Sequence, residues 1–341
     1  MTRGGTMQTI DRSARGGETV TVAVVIPYFQ RRPGILARAL RSVIAQTAHA
    51  RLDVIVVDDG SPVPAADEVA QLPEAQRGAI RVIRQRNAGP AAARNNALDH
   101  VTPDTEFVAF LDSDDMWEPE HLANALRALD AGYDFYFADF YQLNQTVGAF
   151  ERAGRIEPAR HALLPGERHL HVYQADMQAQ ILGGNVIGTP TVVYRFRSLR
   201  TLRFREEFVY AGEDYLFWLD LSRMTDRIAF SSAREVVCGD GVNVFSGSGW
   251  GTEKSLIRLH YEMKYKKAIA RLYPLTERQV KENRAAVLAL RRSFVADVVH
   301  RVAHRKPFAG VMWKQLKVDA PSVLCFVPLA IGLVLRRGRA A

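Results

Sequence analysis

Asp112, Asp114 and Asp115 close the segment Phe107-Val-Ala-Phe-Leu-Asp-Ser-Asp-Asp-Met-Trp117, three carboxylates at the end of five apolar residues. Acids crowded in this way repel one another unless a positive charge sits among them. Hard divalent cations take oxygen ligands, and Mg2+ binds through one or two carboxylates together with substrate phosphates. The chemistry open to such a cluster is to hold Mn2+ or Mg2+ against a diphosphate. A solvated acidic turn, with Asp114 or Asp115 capping a helix begun by Glu118-Pro119-Glu120, would use the same residues without a ligand. A second acid pair, Asp58-Asp59, follows the β-branched run Val54–Val57. A third, Glu213-Asp214, opens the apolar run Tyr215–Leu221, where acids suit a helix dipole and where Asp214 could also accept a proton.

Elements must place these acids. Phe107–Leu111 and Val54–Val57 read as buried strands, and Val20–Ile26, ending in Pro27-Tyr28, as another. Ile35–Gln46 repeats apolar residues at Ile35, Leu36, Ala39, Leu40, Val43 and Ile44, a helical period. Ile80–Ile83 supplies a further strand and Ala91–Leu98 a further helix. Alternation of this kind predicts an α/β fold with a mostly parallel sheet and helices on both faces. In such a sheet ligands bind beyond the C-terminal ends of the strands, where both acid groups fall.

Four segments in order, Val24-Val-Ile-Pro-Tyr28, Val56-Val-Asp-Asp-Gly-Ser61, Asn87-Ala-Gly-Pro-Ala-Ala-Ala-Arg-Asn95 and Phe110-Leu-Asp-Ser-Asp-Asp115, resemble family 2 glycosyltransferases of the GT-A fold. The resemblance spans about Thr21–Trp117, and Gly212-Glu-Asp-Tyr-Leu-Phe-Trp218 resembles the family's acceptor-side motif. It implies a nucleotide-sugar donor, a divalent metal and inversion at the anomeric carbon. Carried onto this chain, it puts Pro27, Tyr28 and Asp59 at the base, with Asp58 preceding in the same motif. Arg94 falls near the diphosphate or base, Asp112 near the ribose, and Asp114 and Asp115 at the metal, Asp115 foremost. Asp214 matches the general base that deprotonates the acceptor hydroxyl. One departure is Tyr28-Phe29-Gln30, where family members commonly have Thr-Tyr-Asn, which leaves a side-chain contact to the base at this point open.

Other residues read more plainly. Asn87-Ala-Gly89 is too poor in glycine for a phosphate-cradling loop. His260 reads as a helix-surface histidine, and His161, His169 and His171 lack metal-ligand spacing. Val244–Gly251, rich in glycine, reads as a lid over the donor or a plain connector. Cys238 and Cys325 read as buried thiols in a reducing compartment, and Met1–Glu18 as a flexible tail without the apolar run of a signal peptide. Phe150–Gly188 is loop-rich, which suits acceptor recognition. Three regions result: a tail over 1–20, a GT-A domain over 21–250, and a helical, basic region over 251–341.

The net charge of +8 is unevenly spread. Residues 254–341 hold 19 Lys plus Arg against 5 Asp plus Glu, while the first 253 residues are acidic on balance. Thr276–Arg305 reads as a long helix opened by a Thr276/Gln279 capping box. Pro321–Leu335 is uncharged and meets Arg336-Arg337-Gly338-Arg339. That run is shorter than the roughly 20 apolar residues of a membrane span and is broken by Pro328. It predicts attachment to an anionic membrane surface, against a docked helix pair as the alternative. Nucleic acid is not expected as a partner, because stacking aromatics are missing from the basic region.

The reading is a metal-dependent, inverting glycosyltransferase that adds single sugars from a nucleotide-sugar, with UDP as the nucleotide. The acceptor would be a saccharide or lipid-linked intermediate in surface polysaccharide or glycolipid synthesis. The enzyme would be cytoplasmic and peripheral on the inner face of the membrane. No Gln-x-x-Arg-Trp segment of a processive synthase is present. The alternatives are a nucleotidyltransferase acting on sugar phosphates, which would carry a glycine-rich basic loop where Pro27–Arg32 stands, and a non-catalytic sugar-nucleotide-binding protein.

Overall fold

A computed structural model of the chain describes residues 19–209, 211–241, 249–324 and 326. Its strands and helices run β1 (Thr21–Tyr28), α1 (Ile35–Ile44), β2 (Arg51–Asp58), α2 (Ala65–Val69), α3 (Glu74–Arg77), β3 (Ile80–Arg84), α4 (Pro90–Asp99), β4 (Phe107–Phe110), β5 (Met116–Trp117), α5 (His121–Asp130) and β6 (Phe135–Tyr141). They continue α6 (Ala149–Ala153), β7 (Leu170–Val172), α7 (Met177–Gly183), β8 (Val193–Arg195), α8 (Glu213–Met224), β9 (Ile228–Val237), α9 (Ser255–Leu272), α10 (Glu277–Ala303), α11 (Ala309–Val318) and α12 (Ala320–Leu324). The described residues fall into two compact units, one from Met1–Glu206 with Phe217–Val242, the other from Glu207–Leu216 with Asn243–Ala341.

The first unit is built on one sheet in the order β3-β2-β1-β4-β8-β6-β9-β5, with β7 also on β9. The half from β3 to β4 is parallel, as the apolar runs predict. The other half is mixed: β8 runs antiparallel to β4 and β6, β6 lies parallel to β9, and β5 and β7 run antiparallel to β9. The chain leaves β1 toward β2 and β3, then returns to place β4 on the other side of β1. Strand order thus reverses between β1 and β4, and open α/β sheets bind ligands beyond the C-terminal strand ends at such a point.

Helix α1 buries Ile35, Leu36, Ala39, Leu40 and Val43 against this sheet. Its N-terminus is held by the buried Glu68 of α2, whose carboxylate accepts from Gly34 N at 2.7 Å and Ala37 N at 3.2 Å, a favourable place for a negative charge. Behind β4, Phe110 packs among Tyr194, Phe204, Phe217 and Trp218.

The second unit is helical. Thr276 and Gln279 form the predicted capping box at the start of α10. Leu256, Leu259, Phe294 and Val298 make its apolar centre. A buried polar network joins its helices: Arg291 grips Asp319 through two bonds of 2.7 Å, Lys267 reaches the same carboxylate at 2.9 Å, and Ser322 donates to it. Gln315 continues the chain to Ser322 at 3.1 Å and to His260 Nδ1 at 2.8 Å. His260 is therefore buried, not the surface histidine its helix suggested, because a glutamine on another helix satisfies it. A second pair, Asp297 with Arg301 at 2.6 Å, ties the start of α9 to the turn after α10.

Among the described residues no helix is long and apolar enough to cross a membrane. Met1–Glu18, Cys325 and the apolar run from Val327 onward lie outside the described residues, as does most of the expected lid at Val244–Gly251.

Candidate functional site

The acids of the β4 end sit where strand order reverses, and the structure shows what positions each. Leu111 N donates to Val25 O at 3.1 Å, so the acid loop leaves β4 still paired to β1. Asp112 faces Arg94 of α4, whose guanidinium donates at 2.6 Å and lies over the Phe204 ring. Asp115 Oδ1 accepts from Gly239 N at 2.9 Å, and Asp114 Oδ2 from Gly241 N at 3.1 Å. Neither carboxylate caps a helix: α5 begins at His121, with Glu120 before it. The capping alternative for Asp114 and Asp115 is thereby overturned. Asp115 is also no surface acid, being only 6% exposed.

Cys238-Gly239-Asp240-Gly241, directly after β9, forms a strap over these acids. A Cβ on Gly239 would lie 1.8 Å from the Asp114 carbonyl oxygen, and one on Gly241 2.4 Å from the Asp114 Cβ, so only glycine fits either position. Reasoning along the sequence missed this strap, since 124 residues separate Asp115 from Gly239. The Gly-Asp-Gly pattern just past a strand is the single local signal it carries.

The electrostatics of the loop follow from crowding. Burial, then the neighbouring Asp112, pushes the Asp114 carboxyl from 3.8 up to about 6. Asp115 is driven well above the usual carboxylate range by burial, Asp112 and Asp114. Burial, followed by the same acids, raises the Cys238 thiol, which keeps it protonated. Negative charge is thus in excess where a cation would relieve it, and the donors are hard oxygens suited to Mg2+ or Mn2+. The described residues do not bring three such side chains to one point in the ligand arrangement of a finished metal site.

The second acid pair shapes the neighbouring loops. Asp58 accepts from Ser61 N at 2.7 Å and Ala65 N at 2.9 Å. Asp59 accepts from Gln85 Nε2, Ala88 N and Gly89 N, each at 2.8 Å, and so fixes the entry to α4. Both carboxylates are buried and engaged. Pro27 is half-exposed at the end of β1, whereas the Tyr28 ring is wholly buried in the core, its phenol pushed up to about 12 chiefly by burial. Gln30, the departure from the family pattern, exchanges bonds with Ser61 at 2.8 and 2.9 Å, and its amide donates to Ser113 at 3.1 Å. It ties the ends of β1 and β2 to the acid loop, a role that its position after Pro27 did not announce.

Asp214 belongs to the second unit. Gly212, at φ +94°, has no room for a Cβ against the Tyr265 ring and turns the chain into α8. Asp214 then stands in the first turn, its Oδ1 accepting from Tyr215 N at 2.8 Å. The Tyr265 phenol is raised well above its usual value by burial, with Tyr215 and Asp214 adding to it. The structure thus brings Pro27, Asp58, Asp59, Arg94, Asp112, Asp114 and Asp115 to one end of the sheet in the first unit, with Asp214 on the second.

The family described as Glycosyl transferase family 2 matches residues 23–203. The succinoglycan biosynthesis protein ExoW of Rhizobium meliloti is 39% identical over 229 residues, which cover 66% of this chain and 70% of that protein. Among solved structures, the mannosyltransferase PcManGT from Pyrobaculum calidifontis, in complex with GDP-Man and Mn2+, matches with a TM-score of 0.55 at 16% identity, over 92% of this chain and 85% of that one. S. aureus TarS 1–349, in complex with UDP-GlcNAc, matches with a TM-score of 0.52 at 18% identity, over 84% and 73%. The curled, mixed sheet with its helices is the GT-A fold, followed by the C-terminal helices α9 to α12.

Proposed function

We propose a reaction for this chain, which belongs to glycosyl transferase family 2: it moves a single sugar from a UDP-sugar to an acceptor hydroxyl, with inversion at the anomeric carbon. The observation that carries the proposal is the convergence of the acid loop, the Arg94 helix and the Asp59-shaped loop at the point where strand order reverses. The UDP-GlcNAc complex of a protein of the same fold supports the choice of nucleotide. The name of the succinoglycan relative supports an acceptor in surface polysaccharide synthesis.

Asp114 and Asp115 would hold Mn2+ or Mg2+, and the Mn2+ complex of a structural neighbour supports that choice. A cation there supplies charge neutralisation for the departing nucleoside diphosphate. The chain's own groups do the rest. The Pro27 end of β1 and the loop fixed by Asp59 bound the space for the base, through backbone more than side chains. Arg94 holds Asp112 in place and adds positive charge. Asp214 takes the proton of the acceptor hydroxyl as its oxygen attacks the anomeric carbon and the bond to the diphosphate breaks.

The same proposal puts the enzyme at the inner face of the cytoplasmic membrane. On α11 the buried Gln315 faces inward, while Trp313 is 65% exposed beside the exposed Lys314 and Lys317. An aromatic flanked by lysines suits an anionic lipid interface. Titration calorimetry of UDP tests the donor site. Binding should require Mn2+ and be lost in Asp115→Ala; equal binding in chelator would remove the metal from the proposal.

A further inference from the structure

We propose that Arg32 and Arg38 form the anion subsite that receives the donor's diphosphate, and that the Asp240 carboxylate occupies this subsite until the donor displaces it. The inference rests on the nucleotide-sugar reading of the site and adds to it the groups that neutralise the phosphates from the protein side.

Arg32 follows β1 and Arg38 lies on α1, yet both guanidinium groups converge on one residue of the strap. Arg32 donates to the Asp240 main-chain oxygen at 2.5 Å and to Oδ2 at 3.2 Å, while Arg38 donates to Oδ1 at 3.4 Å. Asp240 cannot drift from this place, because the amides of Gly239 and Gly241 on either side are bonded to Asp115 and Asp114. The arginines and the acid loop face each other across a single residue. A Cβ on Gly239 would lie 1.8 Å from Asp114 O and 3.1 Å from an Arg38 nitrogen. An anion bound to the acid loop through a cation therefore has both arginines within reach on its far side.

The exchange is favourable on magnitudes. Arg32 and Asp240 are more than half exposed, so their pairing contributes little. A diphosphate brings more charge than one carboxylate and accepts paired guanidinium bonds. The arginines gain by the trade. Asp240 thus acts as a built-in competitor that keeps two cations parked and oriented at the mouth of the site.

Calorimetry with inorganic pyrophosphate and with UDP, each in the presence of Mn2+, tests this on the full chain. Asp240→Asn keeps the shape and removes the competing charge, so both ligands should bind about two- to fivefold tighter, the range of an exposed ion pair. The double variant Arg32→Gln/Arg38→Gln should weaken both by about tenfold or more and flatten the dependence on salt. Melting curves establish that each variant is folded. If the wild type binds UDP with Mn2+ but neither substitution alters affinity, the inference is overturned while the donor reading stands. Weaker binding in a folded Asp240→Asn protein also overturns it, since Asp240 would then be helping the ligand. A wild type that binds UDP under no condition removes the donor reading and this inference together.

Discussion

Replacing Asp114 with asparagine should stabilise the metal-free protein while abolishing its response to divalent cations. The Asp114 carboxyl is raised from 3.8 to about 6, first by burial and then by Asp112. A carboxyl raised to this extent costs about 3 kcal/mol when ionised in the folded state. Because Asp114 and Asp115 titrate in one field, removing a single charge should recover about 2 kcal/mol of it, or about 4–8 °C in melting temperature for a domain of this size. The sign fixes the pH window. A group whose folded value lies above its unfolded value carries no penalty below about pH 4, gains one between about pH 4 and 6, and carries it in full above. Asparagine keeps an oxygen for Gly241 N, so the strap should stay bonded. Melting curves in chelator should show the variant well above the wild type at pH 7.5, with the gap much smaller at pH 4.5. Added Mn2+ should then raise the wild type alone. A variant that melts lower at pH 7.5, or that differs equally at both pH values, refutes the reasoning, because the acids would then not be crowding one another.

Asp214→Asn should lower sugar transfer by about 10²–10⁴-fold, the range of a positioned base, with UDP affinity unchanged; parallel loss of binding would make Asp214 a donor-side residue. Asp319→Asn should cost the helical unit about 3 kcal/mol, since it leaves Arg291 and Lys267 without their buried partner. Burial alone would raise Asp319, but its bonds to Arg291, Ser322 and Lys267 hold it below the usual carboxylate range, so its stabilisation is present above about pH 4 and is lost as acid protonates it. An acid-unfolding midpoint unmoved by Asp319→Asn would contradict this. Trp313→Ser with Lys314→Glu and Lys317→Glu should release the protein from vesicles containing anionic lipid, measured by co-sedimentation, without changing its melting temperature; retained sedimentation would move the membrane contact elsewhere.

The parts of the fold legible in the sequence were those set by contiguous residues. β1, β2 and β4 each contain an apolar run, buried because both faces of the sheet are covered there, and the run lies within three residues of the strand's bounds. Helix α1 is legible through six apolar residues at helical spacing, five of which it buries. The mixed half of the sheet was less legible, since β8 is three residues long and depends on pairing with strands far away in the chain. Side-chain roles were legible only as types. Asp58 and Asp59 are legible as an acid pair at a strand end, but not the backbone amides that engage them, 7 residues on for Asp58 and 30 for Asp59. The basic excess of the C-terminal region is legible as a count, but not which charges are internal: Asp297 and Asp319, two of its five acids, lie buried against Arg301, Arg291 and Lys267. Such pairings depend on contacts between helices and leave no periodic trace.

The central claim, transfer from a UDP-sugar under metal dependence, is tested most directly by turnover of a nucleotide-sugar panel. The full chain is incubated with UDP-, GDP- and dTDP-sugars and a lipid-linked saccharide extract, with Mn2+ or with chelator, and released nucleoside diphosphate is measured. The account predicts release from a UDP-sugar that needs Mn2+ or Mg2+, rises with the extract and falls to background in Asp214→Asn. Release from no donor, or release that is the same in chelator, would contradict it.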